Sequence, residues 1–487
     1  MQDLRFILPL YLRKRQGQME TAPSSLNPSL PGYYRTVGSF YIENFGCRAT
    51  QADGAAIEHQ FQQRGFTRSD DLTRAQVAVI NSCTVTAAAD QDARAAVRRI
   101  RRQNPGCEII VTGCYAQRAP EEVAVLPGVT RVIGNSHKYQ LAELALEPNH
   151  QAFFPLSQLA VQAPISVSDI FAHTELLAAP VFDVGTSSDR TRPNLKVQDG
   201  CDNRCSFCVI PFVRGNSRSL TLEKVLAEVG ALVNAGYREV VISGINLGRW
   251  GRDLARPLRF EDLVREILDQ TDLEKLRLSS IEPMDWSDEL VGMMAGARRI
   301  AKHAHVPLQS GSDRVLRAMH RKYRPWHYRE KIEKIRAAIS TAAIGADVMV
   351  GFPGESEADF AETRRLIEDL PFTYLHVFTY SSRPGTPSAT MRDQIPVHIA
   401  RERNRVLREI AAEKKLSFMR SLVGQTVEAI TLNIVRRGPE GELTEALTDN
   451  YQKTFLPGVY GPNHWLTIRV EQADSKGITG LVEDHAA

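Results

Sequence analysis

Residues 199–215 read DGCDNRCSFCVIPFVRG. Three of the chain's seven cysteines, Cys201, Cys205 and Cys208, stand here in a C-x3-C-x2-C spacing. They follow the apolar run NLKVQ, which reads as a strand, so the thiols belong to the loop at its end. Three thiolates on one loop converge on a single inorganic object, and three is the informative count. A structural zinc takes four ligands, whereas a four-iron cluster on three cysteines keeps one iron open. A zinc knuckle that borrows a fourth ligand from elsewhere is the rival reading of the spacing.

Working outward, strands and helices alternate downstream of the loop. Candidate strands are NLKVQ, EVVISG, KLRLSS, AHVPL, ADVMVG and YLHVFTY, with helices over 221–235, 261–270, 326–340 and 357–370. Six βα units predict an open or partial (β/α)6 barrel over residues 191–422, closed by a charged helix at 397–422. The cysteine loop then sits where barrel chemistry sits, at the C-terminal end of the first strand. Upstream, SFYIENFG, AQVAVINSC, CEIIVTGC and VTRVIGN alternate with two amphipathic helices, which predicts a parallel-sheet α/β domain over 37–148. Residues 1–36 read as an extension and 149–190 as a Pro-, Gln- and Ser-rich linker. Short alternating strands with Gly, Pro and Asn turns over 423–485 predict a small β-barrel. The chain is α/β overall.

The upstream domain holds a second set of thiols. Cys47, Cys83 and Cys114 close three successive long strands. Equivalent ends of parallel strands share one edge, so these thiols are expected to converge too. Three separately buried structural cysteines are the rival reading, and three equivalent positions favour convergence. Asn81-Ser82 and Thr112-Gly113, just before two of them, fit turns that offer amides to sulfur. Cys107 begins its strand, at the opposite edge, and reads as structural.

Composition sets limits on function. Sixty Lys and Arg against 57 Asp and Glu leave a net charge of +3, too little to announce a nucleic-acid partner. Any RNA contact must rest on local patches. An odd cysteine count without a secretory leader argues against a disulfide framework and for a cytoplasmic protein. The uncharged stretch 151–168 is broken by two prolines and several polar residues, so no membrane span is expected.

The C-x3-C-x2-C spacing, with Phe207 before the last cysteine, resembles the radical S-adenosylmethionine (SAM) superfamily. Two triads in this order resemble its methylthiotransferase family, over about residues 39–482. The strings NSCTVTAAAD, TGCYAQ, HVPLQSGSDRVLRAM, DVMVGFPGESEADF and HVFTYSSRPGTPSA carry the same resemblance. It implies an auxiliary 4Fe–4S cluster on Cys47, Cys83 and Cys114, and a catalytic one on Cys201, Cys205 and Cys208. It further implies a C-terminal RNA-binding barrel of the TRAM type, which TDNYQ also resembles. One SAM would methylate a cluster-borne sulfur; another would give the radical that removes a substrate hydrogen. CH3–S then replaces an unactivated C–H, a bond that no side-chain acid or base can open at pH 7. An electron donor of flavodoxin or ferredoxin type and a sulfur donor are implied as partners.

TGCYAQ and ISGINLGRWG (242–251) resemble the branch that modifies carbon 2 of N6-threonylcarbamoyladenosine at tRNA position 37. The alternatives are isopentenyl-adenosine tRNA, a ribosomal-protein aspartate, or a non-catalytic metal-containing RNA-binding protein. The family often has Asn two residues after the first cysteine; this chain has Ala49.

By the same resemblance Gly351, Phe352 and Gly354 flank the SAM adenine, although from the string alone an ordinary βα turn is the better reading. Phe207 joins the cofactor site, Ser243 and Gly244 take the methionine amino group, and Ser280, Glu282 and Gln309 take ribose or carboxylate. Arg214 reads as a carboxylate or phosphate ligand, or as a surface arginine. For the tRNA anticodon stem-loop, Arg98, Arg99, Arg101 and Arg102 offer either phosphate contacts or a solvated helix face. Tyr451, Phe455, Tyr460 and Trp465, near Arg436, Arg437 and Lys453, suit stacking on unpaired bases or the core of the small barrel.

Overall fold

The computed structural model describes residues 38–146, 162–173, 176, 191–438 and 441–483. The extension expected at 1–36 and most of the linker expected at 149–190 lie outside the described residues.

The first layer is a six-stranded parallel sheet. Its strands are β1 (Ser39–Asn44), β2 (Thr67–Arg68), β3 (Val77–Ser82), β4 (Glu108–Gly113), β5 (Val129–Gly134) and β6 (Ile165–Ser166), ordered β2-β1-β3-β4-β5-β6. Every residue of β3 is buried, as expected of a parallel strand covered on both faces. Ala78, Ile80, Ile109 and Val111 fill the core on one face; Phe40, Val79 and Ile110 fill the other. Strands β2 and β6 are two residues each, too short to leave a period in the sequence. The register pairs Asn44 with Asn81 and Ser82 with Gly113. Cys83 and Cys114 therefore begin side by side, each one residue past a paired strand end.

All six strands expected for the barrel are present: β7 (Asn194–Asp199), β9 (Glu239–Gly244), β10 (Lys275–Leu278), β11 (His303–His305), β12 (Ala343–Val350) and β13 (Tyr374–Thr379). A short antiparallel β8 (Arg218–Ser219) is added at the edge. They hydrogen-bond as two sheets, β10-β9-β7-β8 and β11-β12-β13, bridged at Leu276–Ile300. The break falls between the two shortest barrel strands, of four and three residues, which leave little ladder to share. Among the described residues no ladder joins β13 back to β7 or β8, so the barrel stays open.

The helix Val397–Ser421 leads into a closed barrel of β14 (Thr426–Gly438), β15 (Gly441–Thr448), β16 (Lys453–Pro457), β17 (Trp465–Ala473) and β18 (Ile478–Val482), ordered β14-β15-β16-β18-β17. It docks at the end of the (β/α) barrel opposite the cysteine loop. There Lys275 Nζ meets Glu428 Oε2 at 2.9 Å, and Asn463 Nδ2 donates to the Gly236 carbonyl at 2.7 Å. Fully buried Arg277, paired with Glu239, also donates to the Asp449 carbonyl at 2.9 Å. Among the described residues no helix is long and apolar enough to cross a membrane.

Candidate active site

The amino-terminal thiols are positioned by three adjacent strand ends, β1, β3 and β4. Cys47 caps the helix Arg48–Gln63 without giving its sulfur to a backbone amide, and it is exposed. Cys83 and Cys114 are buried. Gly113 lets the chain turn between β4 and Cys114: its φ is +95°, and a Cβ there would stand 2.2 Å from the Ser82 carbonyl oxygen. Only glycine fits. Asn135 Nδ2 lies 3.5 Å from Cys114 Sγ and also bonds the Val213 carbonyl at 2.8 Å. Ala49 leaves no side-chain amide near Cys47; one position on, Thr50 Oγ1 lies 3.7 Å from the sulfur instead.

The second triad sits on the loop after β7. Gly200 (φ +70°) turns the chain into it, with the Asn216 carbonyl 1.9 Å from where a Cβ would be. Cys201 N donates to the Gly215 carbonyl at 3.1 Å and Cys208 N to that of Cys205 at 3.1 Å, which folds the loop on itself. Two side chains that the sequence reading missed donate to its sulfurs. Asn246 Nδ2 reaches Cys201 Sγ at 3.7 Å, and Arg321 Nη1 reaches Cys205 Sγ at 3.3 Å. Backbone amides join them in a regular way: those of Val85, Asn203 and Ile210 face Cys83, Cys201 and Cys208, each two residues on. Asn81-Ser82 and Thr112-Gly113, expected as turns that offer backbone amides, instead end β3 and β4 and pair with each other in the ladder. Asn81 Nδ2 bonds Asn44 at 2.9 Å and the Thr50 carbonyl at 2.8 Å, while Ser82 Oγ bonds the Thr112 carbonyl.

These donors suit thiolates, because hydrogen bonds to the charged form favour it. Burial opposes them. It pushes Cys83 and Cys208 up to about 12 and raises Cys201 as well. As thiolates at pH 7 they need positive charge next to sulfur, which a metal supplies. Within each triad the thiols stand near enough to act on one another: Cys114 and Cys47 also raise Cys83, and Cys205 and Cys201 also raise Cys208. A four-iron cube takes three such thiolates, one on each of three irons. Both triads thus fit a cluster.

One cavity of about 520 Å³ has Cys47, but neither Cys83 nor Cys114, on its wall together with Cys201, Cys205 and Cys208. Phe207, Gly244, Ser280, Glu282 and Gln309 also line it. Gln309 takes a left-handed φ of +63°, held by its amide on the Asp347 carbonyl at 2.8 Å. Glu282 pairs with Arg321, and Ser280 Oγ lies 2.7 Å from His305 Nδ1. On the same wall Asn246 Oδ1 is a buried polar atom without a hydrogen-bond partner, and His305 Nε2 faces Asp347 Oδ1 at 3.4 Å. Ser243 lies one layer behind; its hydroxyl is buried and unpartnered too.

Gly351, Phe352 and Gly354 are placed differently from the expectation. None lines the cavity. Phe352 is fully buried behind Phe207, against Val315 and Met319. The glycines are needed for turn geometry, with φ of +75° and +77°, and Gly351 additionally packs against Ala400. Phe352 can support Phe207 but not touch a ligand in the cavity.

Arg214 is 2% exposed and meets carboxylates of the protein itself, Asp199 at 3.0 Å and Asp53 at 2.9 Å. Lys196 and Lys138 also reach Asp53, Lys138 at 3.0 Å. Burial alone would raise the Asp53 carboxyl; Lys138, Lys196 and Arg214 together hold it well below the usual carboxylate range. With three cations on two carboxylates, Lys138 is drawn down by burial. This network joins the helix that Cys47 caps to the strand and helix that flank the second triad.

Of the RNA candidates, Tyr451 lines the cavity. Tyr460 packs into the barrel core, and the Trp465 ring lies 4.9 Å from Lys275 Nζ. Lys453 Nζ sits 5.1 Å from the Phe455 ring. Lys453 and Arg436 both pair with Glu445, whereas Arg437 is exposed. Arg99 pairs with Glu43; Arg98, Arg101 and Arg102 lie on an exposed helix face.

Comparison with known proteins agrees with this architecture. Residues 195–367 match the radical SAM superfamily, and residues 39–134 match an uncharacterized protein family, UPF0004. The chain is 35% identical over 418 residues to a Bacillus subtilis protein named threonylcarbamoyladenosine tRNA methylthiotransferase MtaB, covering 86% of this chain and 90% of that one. An Aquifex aeolicus protein of the same name is 36% identical, covering 84% and 94%. A Salinispora arenicola tRNA-2-methylthio-N(6)-dimethylallyladenosine synthase is 35% identical, covering 84% and 80%. The solved structure of the radical SAM methyltransferase TsrM from Kitasatospora setae shares the fold, with a TM-score of 0.55 at 16% identity over 72% of this chain and 77% of that one. The chain belongs to the methylthiotransferase family of radical-SAM enzymes.

Proposed function

We propose that this enzyme places a methylthio group on carbon 2 of N6-threonylcarbamoyladenosine at tRNA position 37, with one 4Fe–4S cluster on each cysteine triad. The observation that carries the proposal is the shared cavity, walled by Cys47 and by the whole second triad. When bound, the clusters and SAM supply the one-electron and sulfur chemistry that side chains lack. The substrate assignment is supported by the printed names of the Bacillus and Aquifex relatives.

The chain's own residues bind, orient and shield. Asn246 and Arg321 donate to Cys201 and Cys205, which fixes those sulfurs. Arg321 also orients Glu282, leaving that carboxylate on the cavity wall for an amino or hydroxyl group of SAM. Unpartnered Asn246 Oδ1 offers a further polar contact there. Phe207, Tyr374 and Phe378 supply apolar wall that limits water around a reactive centre. A flavodoxin- or ferredoxin-type electron donor and a sulfur donor complete the cycle, in the cytoplasm with the tRNA.

Mass spectrometry of tRNA nucleosides, with and without the gene, tests the assignment. Loss of 2-methylthio-N6-threonylcarbamoyladenosine is expected. Loss of the dimethylallyl counterpart, or of a modified ribosomal-protein aspartate, would overturn it.

A further inference from the structure

Arg48 directly follows Cys47 and lines the same cavity as Cys47 and the second triad. Its backbone is fixed, because Asn194 Nδ2 donates to its carbonyl at 2.7 Å. Its guanidinium is not matched by a charge. The polar group it reaches is the neutral Tyr451 hydroxyl, at 3.3 Å, and among the described residues no carboxylate lies within ion-pair distance. Arg321, on the same wall, is by contrast paired with Glu282. A half-buried arginine with five donors and one neutral contact has capacity for a planar, two-oxygen acceptor.

Tyr451 is held to present that hydroxyl. It adopts a left-handed φ of +66°, uncommon for a side chain of its size. Its ring lies 4.6 Å from that of His303 and 5.9 Å from that of Tyr374, with the Arg277 guanidinium 5.5 Å from the ring centre. Burial, helped by Arg277, His305 and Arg48, keeps His303 neutral. Asp347, a carboxylate on the same wall, lies 3.4 Å from His305 Nε2 and forms no ion pair with Arg48, so the Arg48 guanidinium has no carboxylate in contact.

We infer that Arg48, with the Tyr451 hydroxyl beside it, forms the subsite for the carboxylate on the substituent of the modified adenosine. The inference rests on the substrate reading above and adds what selects that substrate. A threonylcarbamoyl group ends in a carboxylate; a dimethylallyl group is apolar and would leave the guanidinium desolvated and unpaired. Sites built around a polar partner discriminate strongly against ligands that lack it.

The test uses the iron-loaded enzyme and three anticodon stem-loop RNAs, carrying N6-threonylcarbamoyladenosine, its methyl ester or N6-dimethylallyladenosine. Binding is read by fluorescence anisotropy without SAM, and kcat/KM is measured separately. Arg48→Gln should weaken binding of the threonylcarbamoyl RNA about 10–100-fold, the scale of a lost charge-assisted contact. The wild type should bind the ester more weakly by a similar factor, and Arg48→Gln should cost the ester nothing further. Tyr451→Phe should cost less, and Arg48→Lys should restore part of the loss. Unchanged iron content and melting temperature would show that the variants fold. An equal loss on all three RNAs would assign Arg48 to a backbone phosphate, and no loss on any would remove the subsite; either overturns the inference. If the wild type methylthiolates only the dimethylallyl RNA, the substrate reading fails and takes the inference with it. If it acts on the threonylcarbamoyl RNA and Arg48→Gln does so equally well, the inference alone fails.

Discussion

Arg214 Nη2 and Asp53 Oδ2 lie 2.9 Å apart, with the two side chains 3% and 1% exposed. Arg214 stands six residues after Cys208 and Asp53 six residues after Cys47. One buried ion pair thus ties together the segments that begin at the two triads. Lys196 and Lys138 share Asp53, so its carboxylate holds three cations from two sheets and their flanks.

Replacing Asp53 by Asn should therefore cost more than an exposed pair would. It removes the charge while keeping the shape, leaving Lys196, Lys138 and Arg214 with Asp199 alone. Breaking a buried pair on one side costs about 3–5 kcal/mol. Denaturant unfolding of wild type and Asp53→Asn measures the difference; a loss below about 1 kcal/mol would show that the network does not hold the domains.

The same carboxylate sets a pH dependence. Its folded-state pKa lies well below the ordinary aspartate value of about 3.9. The stability it contributes is complete above about pH 5 and is lost as pH falls, because the unfolded chain takes up the proton first. Below about pH 4 the wild type should lose stability more steeply than Asp53→Asn, by up to about 1.4 kcal/mol per pH unit. Parallel curves for the two proteins would contradict this.

Gly113 offers a local test of how the first triad is built. Gly113→Ala places a Cβ 2.2 Å from the Ser82 carbonyl oxygen at a φ of +95°. The strain, about 1–3 kcal/mol, relaxes by shifting Gly113 against Ser82, and so displaces Cys114 or Cys83 at the next positions. Bound iron should fall from about eight toward about four atoms per chain. Gly230→Ala, in the helix Leu222–Asn234 with nothing within 4 Å of the new Cβ, should keep its iron and gain about 0.5–1 kcal/mol. Equal iron in both variants would contradict the role given to Gly113.

The cysteines were legible in the sequence because two local signals, tight spacing and strand-end position, do not depend on distant contacts. The six barrel strands were legible from their continuous apolar runs. Side chains that complete the site were not, since their partners are far along the chain. Arg321 is 116 positions from Cys205, and Lys196 is 143 from Asp53. Lys196 inside the apolar run NLKVQ was a usable signal for a buried ion pair. At the Gly351–Gly354 turn the glycines answer to backbone geometry, and Phe352 faces the core. Arg48 leaves no signal in a single sequence, because its significance lies in the carboxylate it lacks.

The account depends most on two separate clusters facing one cavity. The direct measurement is an anaerobically reconstituted Cys47→Ala/Cys83→Ala/Cys114→Ala enzyme, assayed for iron, SAM cleavage and RNA product. It should hold about four irons per chain, still cleave SAM on reduction, and form no methylthiolated nucleoside. Full methylthiolation by this variant, or an undiminished iron content of about eight, would contradict the account.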